Sequence, residues 1–160
     1  MSIFNSDFIE YLTLLNEYQV EYVLVGGMAV NLHGYRRTTG DMDIFVKSDF
    51  ENHQKLKSVH LDFGMHMGEM DVLENFLDIE KYDVFTFGIS PIQIDVLTAC
   101  KGITFNHAFS NSVKMEVADN LEVLVTDYRS LITMKKAANR LRDQMDIEEL
   151  KKIKSNSKNQ

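Results

Sequence analysis

The stretch VGGMAVNLHGYRRTTGDMDIFV, residues 25–46, decides how the rest of the chain is read. An apolar run, YVLV, ends in Gly26-Gly27, and a second apolar run opens on Asp41-Met42-Asp43. Short apolar runs bounded by glycine read as buried strands, so YVLV and DMDIFV are two strands. Between them MAVNLHG supports about two turns of helix stopped by Gly34, and YRRTTG is a loop. Side chains alternate faces along a strand, so Met42 and Ile44 point into a core while Asp41 and Asp43 share the other face, roughly 7 Å apart at Cα. Two carboxylates placed this way repel each other unless a cation lies between them, and hard oxygen ligands favour magnesium or manganese. A lone Asp-x-Asp is more often a pair of solvated aspartates, and a bare Gly-Gly is more often a turn. Their combination says more than either part.

Working outward, IQIDVLT at 92–98 sets Ile92, Ile94 and Val96 on one face and Gln93 and Asp95 on the other. If this strand lies beside DMDIFV, three carboxylates converge on one patch, the ligand set that a two-metal phosphoryl-transfer site requires. Gly26-Gly27 at a helix start exposes backbone N–H groups with no side chain blocking approach, which suits phosphates. Neither GxxxxGK[ST] nor GxGxxG is present.

The remaining pattern places these strands in a mixed sheet. Phe8, Ile9, Leu12 and Leu15 recur at helical spacing over 6–18. Ser48 with Glu51 predicts a capping box for a helix running toward Val59. Met65, Met67 and Met70 read as adaptable core filler, followed by a short helix over 72–77. DVFTFGI and IQIDVLT flank Ser90-Pro91 and read as neighbouring strands joined tightly. VKMEV and EVLVT are further strands, and helices are predicted over 127–139 and 143–152. The order is helix, strand, helix, strand, helix, several strands, then two helices: an α+β fold, an α/β mixed sheet with helices packed on it.

With 160 residues, 44% hydrophobic and 26% charged, the chain is expected to form one domain, residues 1–153, with the polar end KSNSKNQ (154–160) disordered. No run of eighteen apolar residues occurs and the N-terminal residues carry acids, so neither a membrane span nor a secretory signal is expected, and a cytoplasmic location is. The single cysteine, Cys100, has no CxxC partner and reads as a quiet, partly buried thiol. A net charge of -7 argues against a general DNA or RNA binder. Charge is uneven, however: the segment from Lys135 onward holds eight of the seventeen basic residues against four acids, enough to meet a polyanion locally.

Together these residues resemble the nucleotidyltransferase superfamily, the fold of DNA polymerase beta. Its signature is an apolar residue, Gly-Gly or Gly-Ser, about a dozen residues, Asp-x-Asp or Asp-x-Glu on the next strand, and a third acid on a later strand. Here these are Val25-Gly26-Gly27, thirteen intervening residues, Asp41-Met42-Asp43, and Asp95. The chain resembles more closely the small nucleotidyltransferases that include toxin components of bacterial abortive-infection systems. In these, His-Gly precedes an Arg-x-Thr-x-Asp-x-Asp run, matched by His33-Gly34 and by Arg37, Thr39, Asp41 and Asp43. A helix carrying Lys, then Arg, then an acidic pair is matched by Lys135, Arg140, Asp143 and Asp146. The resemblance spans most of the chain outside roughly 50–80. One departure is Gly27, where many members have serine, so backbone N–H groups replace a hydroxyl contact to the phosphates.

The resemblance implies transfer of a nucleoside monophosphate from a nucleoside triphosphate such as ATP to a hydroxyl, with pyrophosphate leaving. Asp41 and Asp43 would hold two Mg2+ (or Mn2+) ions, and Asp95 one of them; Asp95 would also take the hydroxyl proton. Gly26 and Gly27 would cradle the phosphates, Arg37 or Lys135 would neutralise the leaving group, and Thr39 would order the loop. For Arg140, Asp143 and Asp146 a salt-bridged helix pair is favoured over substrate contact, Arg36 reads mainly as solvent-facing, and His33 as a hydrogen-bonded imidazole. The acceptor implied is a tRNA end, a protein hydroxyl or a small molecule such as an aminoglycoside, and an antitoxin partner is possible on the same grounds. The competing expectation is a non-catalytic nucleotide-binding module that keeps the fold.

Overall fold

A computed structural model describes residues 4–159. Its elements are α1 (Ser6–Glu17), β1 (Tyr22–Val25), α2 (Gly26–Leu32), β2 (Asp41–Val46), α3 (Phe50–Phe63), a 3-10 turn (Gly68–Asp71), α4 (Leu73–Leu77), β3 (Val84–Ile89), β4 (Ile92–Leu97), α5 (Phe105–Ser110), β5 (Val113–Ala118), β6 (Leu121–Val125), α6 (Tyr128–Ala138) and α7 (Leu141–Lys158). The strands form one mixed sheet in the order β3-β4-β2-β1-β6-β5. The pairs β2/β4 and β1/β6 are parallel, whereas β1/β2, β3/β4 and β5/β6 are antiparallel.

The sheet buries its two faces differently. On one, Leu24, Met42, Ile44, Ile94 and Val96 join Phe8, Tyr11, Leu12 and Leu15 of α1 and Leu56 and Val59 of α3 in the main core. On the other, α5 sets Ala108, Phe105 and Phe109 against Val23, Val25 and Phe45. Asp41 and Asp43 lie on this second face by strand alternation, and α5 covers its apolar end only. Phe45 is 1% exposed; removing its ring would cost about 3–5 kcal/mol and loosen the helix that borders the acids.

Local chemistry explains where helices begin and stop. Asn5 caps α1 by accepting the Phe8 N–H at 2.9 Å. At α3 the expected Ser48–Glu51 capping box does not form. Asp49 is the cap, accepting from the Asn52 N–H at 2.8 Å, while the Ser48 hydroxyl donates to the Phe76 carbonyl at 2.8 Å and ties α4 to the sheet. A carboxylate at this position makes the stronger, charge-assisted bond, and Glu51 pairs instead with Lys55 at 3.5 Å. Gly64 ends α3 in the left-handed region, φ 80°. Helix α5 had no counterpart in the sequence reading, being too short for a helical period to show.

The end of the chain also departs from expectation. Residues predicted to be disordered continue α7 as far as Lys158. Lys152–Glu149, 3.0 Å apart, is a pair within the helix, and Lys154, stacked 4.0 Å above the Tyr128 ring, holds this exposed helix against the body. Among the described residues, no helix is long and apolar enough to cross a membrane.

Candidate active site

The register between β2 and β4 builds the acidic part of the site. Asp43 lies directly opposite Asp95, and Asp41 opposite Gln93. Paired residues on neighbouring strands share a face with their backbones about 4.8 Å apart, which brings the Asp43 and Asp95 carboxyl groups into hydrogen-bond contact. Burial, then the charge of Asp95 and its hydrogen bond, then the charge of Asp41, push the Asp43 carboxyl up to about 7, against a smaller opposing pull from Lys135. Gln93, which shares the acidic face, steadies Asp95 by donating from Nε2 to Oδ1 at 3.2 Å.

Glycine is needed beside these acids for two reasons. Gly26 has φ 68°, which disfavours any side chain, and a Cβ there would overlap the Asp43 carboxylate. At Gly27 a Cβ would stand 2.6 Å from Thr39 Oγ1 and 3.3 Å from Arg37 Nη1. The glycine turn is therefore closed on one side by β2 and on the other by the loop that leads into it.

That loop is fixed from both ends. The Arg37 backbone N–H donates to Asn31 Oδ1 at 2.8 Å, a buried asparagine of α2 whose role the sequence reading missed although a polar residue within MAVNL is a visible signal. Thr39 Oγ1 makes only a long contact, 3.4 Å, to the Asp41 carbonyl. The Arg37 guanidinium donates from Nε and Nη2 to Asp146 at 2.7 and 2.9 Å. Lys135 Nζ lies 3.1 Å from Asp143 and 2.9 Å from Asp146, and Arg140 Nε is 2.8 Å from Asp143. Burial alone would raise the Asp143 carboxyl; hydrogen bonds from Arg140 and Lys135 outweigh that and hold it below its ordinary value.

Arg37 and Lys135 thus stand near the acids, but each is already engaged with α7. Arg140, Asp143 and Asp146 form the ion-paired helix junction favoured from sequence. Arg36 is exposed, and His33 Nε2 bonds to the Thr126 carbonyl at 2.7 Å. Burial, with Asp43 and Asp83 nearby, pushes the Cys100 thiol up to about 12, so it is no nucleophile near neutral pH.

Among the described residues, no three His, Cys, Asp or Glu side chains are grouped tightly enough to form a finished metal cage. Asp43 and Asp95 meet directly, whereas Asp41 reaches Asp43 through its charge alone. The donor chemistry nevertheless suits a hard divalent cation: all the candidate ligands are carboxylate oxygens, and the upward shift of Asp43 comes first from burial and then from neighbouring acids, both of which a bound cation would offset.

No protein-family model matches the sequence, and no curated protein matches it. Solved structures do match. One is the crystal structure of the lincosamide antibiotic adenylyltransferase LnuA with lincomycin bound, similar at a TM-score of 0.60 over 96% of this chain and 99% of that chain, with 16% sequence identity. The chain has the nucleotidyltransferase fold, a mixed six-stranded sheet flanked by helices.

Proposed function

We propose that this protein is a nucleotidyltransferase that moves a nucleoside monophosphate from a nucleoside triphosphate to a hydroxyl acceptor. The observation that carries the reading is the facing pair Asp43 and Asp95 beside the glycine turn at Gly26. A structural carboxylate withdrawn from water is ion-paired, as Asp143 is. Here two acids are instead held against each other, with Asp41 adding to the repulsion.

Asp41, Asp43 and Asp95 would hold divalent cations, Mg2+ or Mn2+, which polarise the α-phosphate and stabilise charge as it develops. Asp95 accepts the proton of the acceptor hydroxyl. The hydroxyl oxygen forms its bond to the α-phosphorus, the bond from that phosphorus to the bridging oxygen breaks, and pyrophosphate leaves with the electron pair. Gly26 and Gly27 let backbone N–H groups approach the phosphates, and Thr39 holds the loop at their side. Arg37 and Lys135 supply positive charge for the departing pyrophosphate.

The acceptor is a hydroxyl of a small molecule, a protein or an RNA end. The likeness to an antibiotic adenylyltransferase favours the first; the lysine-rich outer side of α7 favours the last. A toxin-like role with an antitoxin partner rests on the arrangement of Arg37, Thr39, Lys135 and the α7 aspartates. Incubating the protein with labelled triphosphates, Mg2+ and separate pools of total RNA, protein and aminoglycoside or lincosamide compounds tests the reading. Label should enter one pool with release of pyrophosphate. Triphosphate binding with no label in any pool would instead support a non-catalytic nucleotide-binding module.

A further inference from the structure

Asp146 is fully buried on α7, yet its contacts lead back to the glycine turn. Oδ1 accepts from Arg37 Nε at 2.7 Å, and Oδ2 accepts from Arg37 Nη2 at 2.9 Å and lies 2.9 Å from Lys135 Nζ. A side-on pair with two parallel hydrogen bonds fixes the plane of a guanidinium as well as its position. With Nε and Nη2 taken, the remaining nitrogen, Nη1, is turned toward the Thr38 carbonyl at 3.2 Å and toward Gly27. Other contacts repeat this direction. A Cβ at Gly34 would lie 3.3 Å from Ile153, and Arg142 Nη2 donates to the Thr38 carbonyl at 3.4 Å, so the loop lies along α7 for much of its length.

Stability alone does not require this arrangement, because well-packed apolar residues often replace a buried ion pair without loss. The cluster of Arg37, Lys135, Arg140, Asp143 and Asp146 holds three cations against two carboxylates. It therefore keeps an excess positive charge beside the acids, with the arginine nearest the turn clamped in one orientation.

We propose that Asp146 is a positioning residue. It sets the Arg37 guanidinium so that Nη1 is held ready at the glycine turn for the terminal phosphates of a nucleoside triphosphate, and it makes the site select triphosphate over monophosphate. This rests on the nucleotidyltransferase reading above. It is distinct from a charge effect, and the two differ in sign. Asp146→Asn removes a negative charge, so charge alone would tighten binding of an anion. The clamp requires binding to weaken, because the freed guanidinium loses its orientation.

Calorimetry with Mg2+ and a non-hydrolysable α,β-methylene triphosphate, alongside the matching monophosphate, decides between them. Asp146→Asn and Arg37→Gln should each weaken the triphosphate about tenfold or more, the scale of one charge-assisted hydrogen bond, and leave the monophosphate unchanged. The double variant should be no worse than Arg37→Gln alone, since both act through one group. Arg37→Lys, which keeps the charge and loses the fork, should behave like Asp146→Asn, and it decides the matter if Asp146→Asn does not fold. Unchanged or tighter triphosphate binding by Asp146→Asn, wild-type affinity in Arg37→Lys, or equal losses for both ligands would overturn the clamp while leaving the enzymatic reading intact. Failure of the wild-type protein to bind any triphosphate would remove that reading and the clamp with it.

Discussion

Asp43 and Asp143 are both withdrawn from bulk water, yet their carboxyl groups shift in opposite directions. Asp43 faces Asp95 across a strand pair and is pushed up to about 7. For Asp143, burial acts upward too, but Arg140 and Lys135 bond to it and hold it down. The same side chain is thus stored in two states. One is an unneutralised group that a positive charge would complete; the other is a completed ion pair that fastens α6 to the start of α7. On the proposed reading, the difference separates the part of the molecule that would react from the part that holds it in place.

Substitutions sharpen this contrast. The largest effect is expected on activity: Asp43→Ala should abolish nucleotide transfer, a loss of several kcal/mol of transition-state stabilisation, while the protein stays folded. Initial rates together with circular dichroism check this, and transfer by the folded variant would place Asp43 outside the reaction. Asp143→Ala should show the reverse emphasis. It leaves the buried Lys135 with Asp146, which Arg37 also uses, as its remaining carboxylate, and should lower unfolding stability by about 1.5–3 kcal/mol in urea titrations. A loss under about 1 kcal/mol would mean that water takes over the role of Asp143.

The pH dependence of stability should separate the two aspartates as well. Without divalent ions, the folded Asp43 carboxyl binds its proton more tightly than in the unfolded chain. Stability is therefore present at pH 4 and is lost as pH rises toward about 7. His60, lowered by burial to about 4, contributes the opposite slope in the same window, so the useful quantity is the difference between wild type and Asp43→Asn. That variant should gain on wild type by an amount on the order of 1–3 kcal/mol between pH 4 and 8. Parallel curves would show that Asp43 is not perturbed. The smallest effect belongs to Arg140→Ala: with its side chain 75% exposed, its loss should cost under about 1 kcal/mol.

Much of this was readable in the sequence, because strand alternation is a strong local signal. Asp41 and Asp43 share a face opposite the buried Met42 and Ile44, and the two runs flanking Ser90-Pro91 form the hairpin of β3 and β4. Gly34, at φ 111°, follows His33, the residue that caps the end of α2. The register that sets Asp43 against Asp95 was not readable, since nothing local fixes how a parallel strand slides along its neighbour. The engagement of Arg37 with Asp146 was hidden for the same reason: its partners are 109 positions apart. Ser48 and Asp49 are both competent caps, and which one serves depends on the distant Phe76 carbonyl that claims the serine. The helical end of α7 was missed because its polar composition resembles a disordered tail, while its contacts to Tyr128 come from the fold.

The central claim is that Asp95, on a separate strand, works on the same cation as Asp43. Electron paramagnetic resonance of Mn2+ with a non-hydrolysable triphosphate measures this directly, comparing wild type with Asp95→Asn. We predict tight, triphosphate-dependent Mn2+ binding in the wild type and at least one bound ion lost or weakened more than tenfold in the variant, the scale expected when a metal site loses a ligand or its support. Identical Mn2+ stoichiometry and affinity in the two proteins would contradict the account.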